Sequence, residues 1–387
     1  MTAIPLFKVR MDPTATERVA AVLASGYIGQ GPQCEEFERE FGRLIGAPQQ
    51  PLLLNSCTSA IDLALHLIGI NPGDEVISTP ITCSATNSPP ALRGARLVWA
   101  DVDPLTGNID PADVARKVTP RTKAIIAVNW AGRRCDYDWL GEAVKDYIPI
   151  IADAAHGPYN VEYSGDYTCF SFQAIKHLTT GDGGALITPD AEHQRAKLLR
   201  WYGLDRESSA DFRCAQNIQE IGYKYQSNDI AAAIGLANLP GMGEAVAACQ
   251  RNAEYYCRWL TGLPGIDVPP YDPTCSYWLM TLCVDDRADF MAYLGERGIA
   301  TSQVHARNDK HDAFRAVSRR LVPTGRADVF NLPELAESDR WDLPGVDAFD
   351  ARQVSIPVGA WVSEAQRVYI AQTITDWAMA RARKVAA

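Results

Sequence analysis

Short apolar runs rich in β-branched residues alternate with stretches of helical period through the first half of the chain. Residues 52–54, 75–77, 96–98, 124–127 and 148–152 read as buried strands, and 59–67, 85–92, 111–118 and 136–146 as the helices between them. Strands spaced by helices over so long a span predict an α/β fold, a mostly parallel sheet flanked by helices. Ligand-binding residues are then expected at the carboxyl ends of the strands. Two more strands, 167–172 and 184–188, bracket Lys176. Past residue 187 the pattern changes to helices at 191–200, 229–239 and 243–259, a strand at 277–284, a helix at 287–298 and a terminal helix at 363–383. This predicts a large domain over residues 1–249, including an N-terminal segment, and a smaller α+β domain over 250–387. Residues 321–351, rich in Pro, Asp and Gly, read as a long loop or lid.

With 387 residues, 47% of them hydrophobic, the chain can bury a sizeable core. A formal net charge of −10 counts against general affinity for nucleic acid or an anionic membrane, so a phosphorylated ligand has to be held by local donors. Ten cysteines lie scattered with no Cys-x-x-Cys pair and read as reduced thiols. The apolar run 230–239 is broken by Gly235 and Asn238 and falls short of the roughly 18 residues of a membrane span. Residues 1–10 lack a basic-then-apolar signal pattern, and cytoplasmic residence is the expectation.

The chemistry concentrates in three places. Asn55-Ser56-Cys57-Thr58-Ser59 follows a strand and opens an apolar helix, which offers free amides and hydroxyls to a phosphate; an ordinary N-cap reads the same way. Asp153, after the strand 148–152, is placed at the ligand edge, with His156 on the turn behind it; an aspartate there is equally a helix cap. Lys176 follows Phe170, Phe172, Ala174 and Ile175 and precedes the turn Gly181-Asp182-Gly183-Gly184, surroundings too apolar for an ordinary surface lysine. Ser171 can offer its hydroxyl to the same phosphate. A lysine amine to hold an aldehyde and a carboxylate to keep a ring nitrogen protonated are what pyridoxal 5'-phosphate (PLP) chemistry requires.

Ser-Phe-x-x-x-Lys followed by Gly-Asp-Gly-Gly, Asp153-Ala154-Ala155-His156 upstream and the Ser-x-Thr cup at residue 57 resemble the DegT/StrS-type sugar aminotransferases, members of the fold type I PLP superfamily. The resemblance extends from Gly29-Gln30-Gly31 through Asn71-Pro72-Gly73-Asp74 to Gly222-Tyr223-Lys224-Tyr225 and Ser227-Asn228-Asp229. It implies a large PLP-binding domain, a smaller C-terminal domain and a homodimer with shared active sites. It also assigns residues. Lys176 carries the cofactor as an internal aldimine, and Asp153 pairs with the pyridinium nitrogen. His156 lies against the ring. Cys57, Thr58 and Ser171 hold the phosphate, and Lys224 reaches it from the partner subunit. Cys83 falls where the family usually has an aromatic residue stacked on the ring, so another residue is expected to supply that contact or leave it thinner. Lys224 replaces the Asn seen in many relatives.

What the resemblance implies for function is a ping-pong transfer. L-glutamate gives its amino group, pyridoxamine phosphate carries it, and a keto group on a nucleotide-linked sugar, most simply a 4-keto-6-deoxy sugar, receives it. Some relatives replace the lysine by histidine and dehydrate the sugar, but Lys176 is retained beside His177, which favours transamination; a PLP-dependent sugar dehydratase of the same fold and a noncatalytic PLP-binding regulator are the alternatives. Trp130, Arg133 and Arg134, after the strand 124–127, and His305 and Arg307, in a polar loop, are candidates for the acceptor sugar, with ordinary loop packing as the competing reading.

Overall fold

The computed structural model describes residues 3–145, 147–158, 165–206, 215–318 and 341–386. Seven strands form the main sheet: β1 (Leu52–Leu54), β2 (Glu75–Ser78), β3 (Arg96–Trp99), β4 (Thr122–Val128), β5 (Ile150–Asp153), β6 (Tyr167–Ser171) and β7 (Gly184–Ile187), in the order β1-β7-β6-β5-β4-β2-β3. β7 pairs antiparallel with both β1 and β6, and the other pairings are parallel. Every strand but β7 therefore ends on the same edge. Successive side chains alternate between faces. Leu52 and Leu54 pack on one side beneath helix α3 (Cys57–Ile68), while Leu53 packs on the other with Phe37, Phe41, Phe170 and Phe172. Those four rings meet edge to face at centroid distances of 5.1–5.3 Å between helix and sheet.

Two helices precede the sheet, α1 (Ala15–Ser25) and α2 (Pro32–Ile45), neither of which the sequence reading had marked. α2 supplies Phe37 and Phe41, and Asp229 caps it across 198 residues by accepting the Gly31 amide at 2.8 Å. The helices read between the strands are present: α4 (Ser84–Leu92), α5 (Pro111–Lys117) and α6 (Tyr137–Val144), followed by α7 (Asp190–Leu199), α8 (Asp229–Asn238) and α9 (Met242–Leu260). By length and composition the run Asp229–Leu260 could cross a membrane, but 56% of its apolar window is buried. Ala232 and Leu236 pack under the main sheet, and Ala253, Tyr256 and Leu260 pack in a second core.

That second core lies on an antiparallel sheet of β8 (Ile266–Asp267), β9 (Met280–Val284) and β10 (Gln353–Ile356), covered by α9, α10 (Arg287–Glu296) and α13 (Glu364–Ala386). Ile4 from the start of the chain also enters it. Two expectations are corrected here. The strand read over 277–284 begins only at Met280, because Tyr277 takes a left-handed conformation, φ 48°, that an extended strand cannot contain. Within 321–351, read as loop, Pro344–Arg352 is a helix, α12; Pro344 opens it, and the Asp101 carboxylate accepts the amides of Gly345 and Val346 at 2.9 and 2.7 Å. The rest of that segment up to residue 340 lies outside the described residues. A short helix, α11 (Asp312–Val317), comes before it.

Candidate active site

β1 delivers the chain to the ligand edge, where Ser56, extended at φ −166°, turns it into α3. The Ser56 hydroxyl accepts the Ser59 amide at 3.0 Å, and the Ser59 hydroxyl donates to Asn55 Oδ1 at 2.6 Å. Cys57 and Thr58 are thus the first two helical residues, and their amides have no acceptor within the helix. β7 runs directly over this turn. A Cβ on Gly184 would lie 2.4 Å from the Cys57 nitrogen and 2.4 Å from the Ser56 carbonyl carbon, so only glycine permits the approach. Ser171, half-buried at the end of β6, is paired with Gly184 in the ladder and so faces the same corner.

Asp153 is the last residue of β5 and is buried. Its carboxylate accepts the Thr86 hydroxyl at 2.7 Å on one oxygen and the Ala155 amide at 3.0 Å on the other, with the Cys57 sulfur 3.9 Å away. Burial pushes its pKa up, against the pull of those donors and of Lys176. Lys176 sits half-buried in the turn after β6. Burial brings its amine down to about 8, with Asp153 opposing. His156 is buried and held neutral, well below its ordinary value, by burial and by Lys176. Its Nδ1 accepts the Ala131 amide at 3.2 Å, which leaves the ring proton on Nε2.

Aromatic rings wall this corner. Trp278 stacks on His156 at 4.2 Å, and Lys176 Nζ stands 3.3 Å from the indole centroid. His305 lies parallel to His156 at 5.7 Å, and Trp130 meets both imidazoles edge-on at 5.8 Å. Trp130 is buried, its indole nitrogen bonded to the Thr281 hydroxyl at 3.1 Å. The remaining candidates are placed less centrally. Arg307 is buried, bonded to Asp309 at 2.7 and 2.8 Å and paired with Asp347. Arg133 is bonded to Asp272 and to the Pro270 carbonyl, and Arg134 lies over the Tyr137 ring. Cys83 is half-buried at the entry to α4. Lys224 is exposed beside the Trp201 and Tyr202 rings, while its carbonyl accepts from Asn55, which ties that segment to the cup of its own chain.

Two contributors escaped the sequence reading. Thr86 carries no local signal that ties it to an aspartate 67 residues on. Trp278 had no signal at all, being placed inside a strand.

The donor set fits PLP. Free helix amides and a serine hydroxyl gather at a turn that β7 crosses so closely that a single Cβ there would clash, beside a buried carboxylate and a lysine whose amine is partly neutral near pH 8. Comparison with known proteins agrees. The chain is 32% identical over 366 residues to a dTDP-4-dehydro-2,3,6-trideoxy-D-glucose 4-aminotransferase of Saccharopolyspora spinosa, covering 88% of this chain and 91% of the relative. It is 38% identical over 300 residues to a UDP-4-amino-4-deoxy-L-arabinose–oxoglutarate aminotransferase of Shewanella sediminis, covering 73% and 76%. The crystal structure of AtS13 from Actinomadura melliaura superposes with a TM-score of 0.87 at 38% identity, over 97% of this chain and 99% of that one. With the model of the DegT/DnrJ/EryC1/StrS aminotransferase family matching residues 9–326, the chain belongs to that family.

Proposed function

We propose that this PLP-dependent aminotransferase takes its amino group from L-glutamate and delivers it to the keto carbon of a nucleotide-linked 4-keto-6-deoxy sugar, working as a cytoplasmic homodimer. The observation that carries the reading is the convergence of Lys176, Asp153 and the start of α3 on one corner of the sheet edge. The oxoglutarate in the name of the Shewanella relative supports glutamate as donor, and the two relatives' names support a 4-position keto sugar on a nucleoside diphosphate. The division at residues 249 and 250 is kept as part of this reading, supported by the two separate sheets.

PLP, when bound, supplies the electron sink that makes a C–H bond beside an imine nitrogen acidic. The protein does the rest. The Cys57 and Thr58 amides and the Ser171 hydroxyl would hold the phosphate, at the positive end of α3. Asp153 would hold a proton on the ring nitrogen; Thr86 and the Ala155 amide keep its carboxylate oriented. His156, fixed by the Ala131 amide, presents Nε2–H. The Lys176 amine, brought down to about 8, is in part neutral at physiological pH, as a base must be to take a proton from the donor's α-carbon and return it.

The test is an absorbance spectrum with added PLP, before and after L-glutamate, for wild type and Lys176→Ala. A visible band that needs Lys176 and bleaches as 2-oxoglutarate accumulates supports the reading, and a panel of nucleotide-linked keto sugars then names the acceptor by mass spectrometry of the aminated product. Absence of a Lys176-dependent band overturns the reading.

A further inference from the structure

We propose that Trp278 is a positioning residue for Lys176, the face of its indole holding the lysine amine whenever that amine is free of the cofactor. This rests on the reading of Lys176 as the lysine that carries PLP. Lys176 Nζ stands 3.3 Å from the indole centroid, well inside the range of about 6 Å over which an aromatic face attracts a cation. The ring itself has little freedom. Its Nε1–H donates to the Ile175 carbonyl at 2.9 Å, in the residue just before the lysine, and its backbone amide donates to the Ala131 carbonyl at 3.0 Å. His156 stacks on it at 4.2 Å and Phe7 at 5.1 Å. One side chain thus ties together the lysine turn, the loop after β4 and the imidazole that faces the site.

The backbone is bent into unfavourable conformations around this group. Among the described residues, the non-glycines with positive φ are Ala131, Lys145, Tyr202, Tyr277 and Val304. Three of them adjoin the aromatic wall: Ala131 follows Trp130, Tyr277 precedes Trp278, and Val304 precedes His305. A β-branched valine at φ 68° is a genuine outlier, and such outliers persist only where surrounding structure holds them. Tyr277 is held by its hydroxyl, which accepts the Asp272 amide at 2.7 Å, and by stacking on Tyr271 at 5.8 Å. That left-handed residue ends the extended run before β9 and sets the direction in which Trp278 leaves the chain.

Transamination needs the lysine in two conditions, bonded to the cofactor and released as a base. In the second, a flexible four-carbon stem has no covalent anchor, and an indole face at 3.3 Å gives the amine one place to return to. The groups that face the amine are the Asp153 carboxylate on β5, which favours its charged form, the thiols of Cys57 on α3 and Cys83 before α4, and the imidazoles of His156, His177 and His305. The indole adds attraction for the ammonium form without adding a charge.

The test uses the cofactor-free chain, reductively methylated with ¹³C-formaldehyde, with the Lys176 resonance assigned by its loss in Lys176→Arg and then titrated. Trp278→Leu keeps the site apolar but removes the ring face, and should lower the lysine pKa by about half a unit to one and a half units. Trp278→Phe keeps a weaker face and should lower it by only a few tenths of a unit. In the glutamate half-reaction Trp278→Leu should lower the maximal rate about tenfold with KM within about twofold, the pattern of lost positioning. A folded Trp278→Leu with an unchanged or raised lysine pKa overturns the proposal; should that variant fail to fold, an unchanged value in Trp278→Phe does so. If wild type shows a Lys176-dependent PLP band and the pKa does not move, only the role of Trp278 falls, whereas a missing band removes the functional reading itself.

Discussion

Gly184→Ala tests how tightly the cofactor cradle is built. The added Cβ would stand 2.4 Å from the Cys57 nitrogen, 2.4 Å from the Ser56 carbonyl carbon and 2.6 Å from its oxygen, where ordinary contact begins at 3.4 Å. β7 and the start of α3 must therefore part by about 1 Å, in an interior packed as densely as an organic crystal. All three obstructing atoms are backbone, so no rotamer change relieves the overlap. Overpacking of this kind costs about 1–3 kcal/mol, and a middle value of about 2 kcal/mol corresponds to roughly 30-fold in an equilibrium constant. The opening falls on the amides that would bind phosphate, so PLP affinity, followed by absorbance titration, should weaken at least about tenfold. Calorimetry of the cofactor-free chain should show a melting temperature lower by about 2–3 °C, at roughly 1.2 °C per kcal/mol for 387 residues. Gly295→Ala, in α10 with nothing within 4 Å of the added carbon, is the control and should leave PLP affinity unchanged. A Gly184→Ala chain that binds PLP within about twofold of wild type and melts at the same temperature would refute the argument.

Thr86→Val removes the hydroxyl that bonds Asp153 at 2.7 Å, and a hydrogen bond to a charged group is worth about 1.5–3 kcal/mol, so the Asp153 pKa, already raised by burial, should rise by about one to two units further. The acid limb of the glutamate half-reaction should move to higher pH, with Thr86→Ser close to wild type; an unmoved limb counts against Thr86 as the partner that keeps Asp153 ionised. Burial brings His177 and His305 down to about 4, whereas unfolded imidazoles protonate near 6.5. The unfolded chain thus binds more protons between those values, and stability is lost as pH falls from about 6.5 toward 4. Melting temperature recorded across that window should decline, and less steeply in His177→Gln; an identical slope would show that His177 is not buried neutral.

Strands and helices of the main sheet were legible because each is a local pattern, a short continuous apolar run or a stripe of period 3.6 bounded by caps. The two helices before the sheet were not marked, although α2 contributes Phe37 and Phe41 to a core most of whose members, from Ala154 to Met242, lie more than a hundred residues on. α12 was hidden in a stretch whose composition suits a loop. Its start is secured by Asp101, 244 residues away, and such a cap cannot be seen in the segment it caps. β9 was drawn too long because a left-handed tyrosine leaves no mark on the hydrophobic pattern.

The sequence by itself determined the chemical groups and their places at element ends: a lysine after one strand, an aspartate at the end of another, hydroxyls and amides at a helix start. These are short-range facts, set by which residues follow a strand and cap a helix. Tertiary structure alone decided the electrostatic state and the surroundings of those groups. Lys176 reaches about 8, and His156 stays neutral, through burial that the whole sheet edge produces. Trp278 comes from the bend before β9 to meet the lysine, Thr86 from α4 to meet Asp153, and Gly184 from the antiparallel strand to close over α3. Burial and contact across so many residues depend on how the layers pack, and no local pattern encodes that.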